Sequence, residues 1–174
     1  MRVTGLAATL PVVLIIILGQ AVPAPAVDAA GAIAQLAEQI SAVLPADGQV
    51  RIVVSDFDDP RGVTNDLGRY LADLLIIRLG RTPRFLPIER RHLRIVLGQF
   101  SLKSSDLRQL DSARKVASQF HADVVLQNGI TDSGAQVALD TRVLDVMTGA
   151  PLGFASAGIT KDAKVERMLE TGRP

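Results

Sequence analysis

The 174 residues include no cysteine and no tryptophan, and only two histidines, His92 and His121. The first absence rules out disulfides, thiolate metal sites and cysteine nucleophiles. It also leads us to expect no lipid anchor, because bacterial lipoproteins are acylated on a cysteine. The histidines stand 29 positions apart, and neither has a second ligand at H-x-x-x-H spacing. There is no G-x-S-x-G elbow, and no glycine-rich run follows a strand and opens a helix. No catalytic, cofactor-binding or metal residues are therefore expected, and the chain does not read as an enzyme. Tyr70 and five phenylalanines are the only aromatics, poor material for stacking on nucleic acid, so no nucleic-acid partner is expected.

What is present begins with a leader. Arg2 is the only charge before Asp28, and Leu6 to Leu18 is apolar apart from Thr9 and Pro11. Ala24 and Ala26 occupy the small-residue positions of a signal-peptidase site before Val27. Residues 1–26 are expected to be a signal peptide that is cleaved off. The alternative, an uncleaved anchor, meets a run that is short for a span and broken by Pro11, Gly19 and Gln20. The protein is expected to be exported, either periplasmic or associated with the outer membrane. Beyond Ala26, 18 basic residues balance 18 acidic ones, which argues against general affinity for nucleic acid or acidic membranes. The remaining 148 residues suffice for one domain with its own core.

The centre of the chain is Val50 to Arg81. Val50 to Phe57 is β-branched and almost continuously apolar, as expected of a strand covered on both faces. Asp58 to Gly62 supplies turn residues. A helix follows, with Thr64 expected as its cap and Leu67, Tyr70, Leu71, Leu74 and Leu75 along one face. Leu74 lies mid-face and is expected to be buried. Gly80 is expected to close the helix in the left-handed conformation, ahead of Pro83.

Around this centre the pattern is regular. Ala29 to Leu44 is an amphipathic helix, stopped by Pro45-Ala46-Asp47-Gly48 and expected to pack on the domain. Arg84 to Ile88 is a short strand, followed by a helix with Leu93, Val96, Leu97 and Phe100 on one side. Ser101 to Leu110 is a polar connection with room for another helical turn. Asp111 is the expected cap of a helix running to His121. Asp123 to Thr131, Gln136 to Val146 and Leu152 to Ile159 then form a three-strand meander, with a short helix over Asp162 to Leu169. The expected fold is α/β: a mixed sheet of about five strands with helices packed against it and a carboxy-terminal β-meander. Alternation in the meander predicts one face that is solvated or covered by a partner.

Two charged clusters stand out. Asp56, Asp58 and Asp59 lack the D-x-D-x-D-G spacing and closing Glu of a calcium loop, so a solvated turn is expected. Arg78, Arg81, Arg84, Arg90, Arg91 and Arg94 place six arginines in 17 positions, opposed only by Glu89. Guanidinium groups suit carboxylates and phosphates, so the six are candidates for docking an acidic partner. The competing reading is a network of ion pairs with the upstream aspartates.

Four blocks in order carry a family resemblance: IVVSDFDD, LGRYLADLLIIRLGRTPRFLPIERRHL, HADVVLQNGITD and VALDTRVLDVMTGAPLG. Together they resemble the FlgO domain of flagellum-associated outer-membrane proteins over about Val50 to Gly158. More distantly they are similar to the curli-secretion (CsgG) superfamily and the amino-terminal domain of TolB. The chain departs from that pattern at His121, where such families carry glycine, and it lacks the long inserted segments of a membrane β-barrel. Taken with the leader and the flanking helices read above, the chain is expected to divide into a signal peptide (1–26), an amino-terminal helix and linker (27–49), a FlgO-like domain (50–160) and a short helix and tail (161–174). The resemblance implies a non-enzymatic accessory or assembly factor of a surface structure, working through contacts with envelope proteins. The alternative is a periplasmic regulator docking on a cell-wall synthase or an envelope transport complex. Association with copies of itself is left open.

Overall fold

The computed structural model describes residues 27–171, so the expected leader and the last three residues lie outside the described part. The elements run α1 (Ala29–Val43), β1 (Val50–Asp58), α2 (Asp66–Leu79), β2 (Phe85–Pro87), α3 (Arg90–Gln99), a 3₁₀ turn (Ser104–Arg108) and α4 (Leu110–Phe120). After these come β3 (Val124–Asp132), β4 (Gln136–Asp145), β5 (Pro151–Thr160) and α5 (Ala163–Glu170). The strands form one sheet in the order β2-β1-β3-β4-β5. Its first three strands are parallel, and β3, β4 and β5 form an antiparallel meander. This is the mixed five-stranded α/β sheet expected from the pattern.

Coverage explains the sequence of each strand. Helices α1, α2 and α5 bury one face with Ile52, Val54, Leu126, Leu139 and Ala155. On the other face α3, the 3₁₀ turn and α4 pack on Val53, Val125 and Leu144. β1 and β3 lie under both layers, and their amino-terminal halves are mostly apolar, Ile52 to Val54 and Val124 to Leu126. Most of β4 and β5 is covered on one side only, so buried and exposed residues alternate along them. The expected amino-terminal helix packs on α2 and β5. Its Gln39 side chain accepts from Ser156 N–H and donates to Ser156 C=O, both at 2.9 Å, closing part of the edge of β5.

One bulge sets the geometry of the centre. Val54 pairs with Leu126, but Phe57 pairs with Asn128, so β1 carries an extra residue. Asn128 satisfies the displaced backbone: its N–H donates to Ser55 Oγ at 3.0 Å and its Nδ2 donates to Ser55 C=O at 2.8 Å. Its Oδ1 accepts from Thr141 Oγ1 at 2.7 Å, while Asp56 N–H is taken up by Ser104 Oγ at 2.7 Å. The bulge reverses the alternation, placing Phe57 in the same core as Ile52 and Val54.

Several local expectations need correction. The cap of α2 is Asn65, whose Oδ1 accepts from Gly68 N–H at 2.8 Å; the Thr64 hydroxyl is committed to Asp58 instead. Gly80 ends α2 in a right-handed conformation (φ −64°), and α4 starts after Gln109 rather than at Asp111. His121 takes the left-handed position after α4 (φ 49°) that glycine fills more easily, and Ala122 N–H returns to Ala117 C=O at 3.0 Å. On α2 the buried stripe is Leu67, Gly68, Leu71, Ala72, Leu75 and Leu79, whereas Leu74 and Tyr70 are only partly buried. Close approach of α2 to the sheet favours the small Gly68 and Ala72, which a search for large apolar residues passes over. Leu74→Ala is therefore expected to cost roughly 1 kcal/mol in urea unfolding, not the roughly 2–5 of a fully buried leucine. A loss in that larger range would return Leu74 to the core.

Candidate functional site

The structure divides the arginine cluster. Arg90 is turned inward, with Nη2 2.7 Å from Asp56, Nη1 3.4 Å from Asp73, and a bond of 2.5 Å to the Arg69 carbonyl. Arg84 donates to the carbonyls of Pro45 and Ser41 just beyond and within the end of α1, and its guanidinium lies 4.5 Å over the Phe85 ring. Those two hold elements together. Arg78 and Arg81 line a shallow hollow with Glu38 and Ser41 where α1 meets the end of α2. Arg91 and Arg94 are exposed on α3. Six residues close in sequence thus form two separate surface pairs and two structural ties.

The aspartate cluster is not a solvated turn. Asp58 is 1% exposed, at the end of β1, and its Oδ1 accepts from Thr64 Oγ1. Oδ2 is buried and has no hydrogen-bond partner among the described residues. Burial pushes its carboxyl up to about 6, against the opposing effects of the Thr64 hydroxyl and the Arg108 charge. Asp56 is also pushed up by burial, partly offset by Arg90. Asp59 alone behaves as a turn residue, accepting from the Arg61 and Val63 N–H groups at 2.9 Å and pairing with the Arg61 guanidinium. The extra residue in β1 places Asp58 on the face opposite Ile52, Val54 and Phe57.

Above Asp58 lies a cleft of about 360 Å³. Pro60, the carboxyl half of β3 from Gln127 to Thr131, Asp140 and Arg142 of β4, and Arg108 line it. Arg108 Nη2 donates to the carbonyls of Asp58 (3.1 Å) and Asn128 (3.4 Å), which fixes its guanidinium at the rim. Beyond Arg142 the cleft opens onto the uncovered face of β4 and β5. There Arg142 pairs in register with Phe154, which is 68% exposed, and Leu152 lies further along β5. Met147, in the turn between the strands, is 88% exposed. This is the open meander face that alternation predicted.

Sequence reasoning singled out none of Asp58 as a buried acid, Arg108, Asp140, Arg142 or Phe154 as a site. One local signal was available: Gly129 lies within a strand, where glycine often marks a close approach. The Asp140 carboxylate lies across it, 2.6 Å from where a Cβ would stand.

No protein-family model matches the chain, and no curated protein matches it. Among solved structures, the LpoB carboxy-terminal domain from Salmonella enterica is similar over 78% of this chain and 100% of that domain. Its TM-score is 0.65 at 18% identity. The fold is similar to that of LpoB. The solution structure of Escherichia coli LpoB gives the same TM-score at 17% identity, covering 93% of this chain and 84% of that one. A lipoprotein from Neisseria meningitidis follows at 0.55 and 18% identity, over 66% of this chain and 83% of that one. These similarities correct the family expectation: the neighbours are LpoB and a related lipoprotein, not FlgO, CsgG or TolB proteins. The flagellar reading falls with it. Four blocks recorded an order of strands and helices, and an element order by itself does not fix a family or a function. The expectation of no lipid anchor also finds no support in neighbours of this kind, although these 174 residues hold no cysteine.

Proposed function

We propose that this chain is an exported envelope protein without catalytic activity, which docks on a cell-wall synthase and regulates it. The observation that carries the reading is the likeness of fold to LpoB along the whole of its carboxy-terminal domain. It supports the cell-wall alternative read from the sequence, now that the flagellar one has lost its basis. The docking surface in this reading is the uncovered face of β4 and β5. Phe154 is the exposed aromatic anchor and Arg142 the charge beside it, a pairing suited to a partner groove that is apolar with an acidic rim. Arg78, Arg81, Arg91 and Arg94 are candidates for secondary contacts, while Arg84 and Arg90 are occupied within the fold.

The test is surface-plasmon capture of purified bifunctional cell-wall synthases on the immobilised protein, with glycan polymerisation followed in parallel. Phe154→Ser is expected to weaken capture about tenfold or more with an unchanged unfolding midpoint, as for an anchor residue at an interface. Capture lost in Arg78→Ser/Arg81→Ser but retained in Phe154→Ser would move the surface to the end of α2. Absence of both capture and any change in synthase rate would overturn the reading.

A further inference from the structure

The cleft over Asp58 is not needed for docking through Phe154, yet it has the features of a small-ligand site. Its place follows from the winding of the sheet. The chain leaves β1 through α2 on one face to reach β2, then returns through α3 and α4 on the other face to reach β3. Strand order therefore reverses between β1 and β3. Ligands of open α/β sheets enter the crevice outside the carboxyl ends of the strands at that point. Here the crevice is the 360 Å³ cleft.

Its lining is charged with both signs, and no ion pair joins these charges among the described residues, although Arg108 acts on Asp58 at longer range. Among the described residues, neither Asp140 nor the Arg142 side chain has a hydrogen bond or an ion pair, although they stand two positions apart on the same strand face. Arg108 is held by two backbone carbonyls, which neutralise none of its charge. Asp140 leans across Gly129 toward the floor of the cleft, where any larger residue would displace it. Beneath lies Asp58, 1% exposed, with Oδ2 unpartnered. A buried polar atom left unmatched beside a cleft is a costly arrangement, of the kind found at functional sites.

The combination selects a ligand. Phosphate would gain from the two guanidiniums but meet the Asp140 carboxylate. A simple cation would gain from Asp140 but meet two arginines. A ligand with a carboxylate and an adjacent ammonium satisfies both. We propose that this cleft binds an α-amino-acid group, its carboxylate held by Arg108 and Arg142 and its ammonium by Asp140. The cleft shares Arg142 with the docking surface, and Phe154, which lies outside the cleft, can be altered without touching it.

The experiment is a titration of the isotopically labelled protein, following backbone amide resonances. The probes are L-alanine, D-alanine, diaminopimelate and inorganic phosphate, with propionate and ethylamine as alanine lacking one charge or the other. Saturating shifts are expected at Asn128, Gly129 and Asp140 with the amino acids. Propionate and ethylamine should each bind at least about tenfold more weakly. Arg142→Gln and Asp140→Asn should each weaken alanine binding by about tenfold, with the fold intact by the rest of the spectrum. Preference for D-alanine or diaminopimelate would assign the ligand to a wall peptide, and equal binding of L-alanine to free amino acids; either supports the site. No saturation by any amino acid up to about 10 mM, far weaker than a useful site, would overturn it. So would propionate or inorganic phosphate binding as tightly as alanine. Phe154→Ser should leave these titrations unchanged, so failure here and failure of docking are told apart.

Discussion

Gly68→Ala is expected to destabilise the domain by about 3 kcal/mol, although alanine is the better helix former. Gly68 lies in the first turn of α2, where Asn65 caps the helix directly against the end of β1. A Cβ at this position would overlap the Phe57 carbonyl oxygen and stand 3.0 Å from its carbon. Both atoms belong to the backbone of β1, at the bulge, so neither can swing aside as a side chain would. Helix propensity offers at most about 1 kcal/mol in return. The steric term wins, and α2 must move off the sheet, opening the contacts of Leu67 and Leu71. Gly98 on α3 is the control: a Cβ there meets nothing within 4 Å, so Gly98→Ala should gain up to about 1 kcal/mol. Urea unfolding of both variants checks the pair. Equal, stabilising effects would mean that α2 does not approach β1 as closely as described.

The second expected result concerns Asp58→Asn, which should stabilise the protein at pH 7.5 and do little at pH 4. Burial pushes the native carboxyl up to about 6, above the ordinary aspartate value of 3.8. Between these values the native state holds a proton that the unfolded chain has released, so stability falls as the pH rises through the interval. Below about 4 both states are protonated and the site costs nothing. Above about 6 the native state carries a buried carboxylate with one oxygen unmatched, at a cost of roughly 1–3 kcal/mol. Asparagine keeps an acceptor for Thr64 and removes the charge. Thermal unfolding at the two pH values is the measurement. Some pH dependence should persist in the variant, since burial pushes Asp56 in the same direction. A variant less stable than the parent at pH 7.5 would show that the carboxylate is matched by a partner in solution.

The face on which Asp58 lies is set by the bulge, and the bulge marks where sequence reading stopped working. From Val50 to Val54 the β1 sequence reads as a buried strand, and it is one. Past that point one inserted residue shifts every side chain to the opposite face. Asp56, Asp58 and Asp59 look equivalent in sequence, yet they become a half-buried ion-pair partner, a buried acid and a turn residue. The signal for the insertion lies about 70 residues away, in an asparagine on β3 whose side chain fills the gap. Arginines show the same limit. Arg84 and Arg90 differ from Arg78 and Arg91 only in what the fold brings to them, the end of α1 in one case and Asp56 with Asp73 in the other.

By itself the sequence determined the strand and helix order, the mixed sheet, and a meander with one uncovered face. Each rests on periodicity over five to fifteen residues, where neighbours in sequence are neighbours in space. Only the tertiary structure decided which acid is buried, which arginines are free, and that Asp58, Arg108, Asp140 and Arg142 share a cleft. Those four come from β1, the 3₁₀ turn and β4, and no local pattern links them. Burial and pairing of charge depend on which elements meet, and that is set by packing the two helical layers across one sheet.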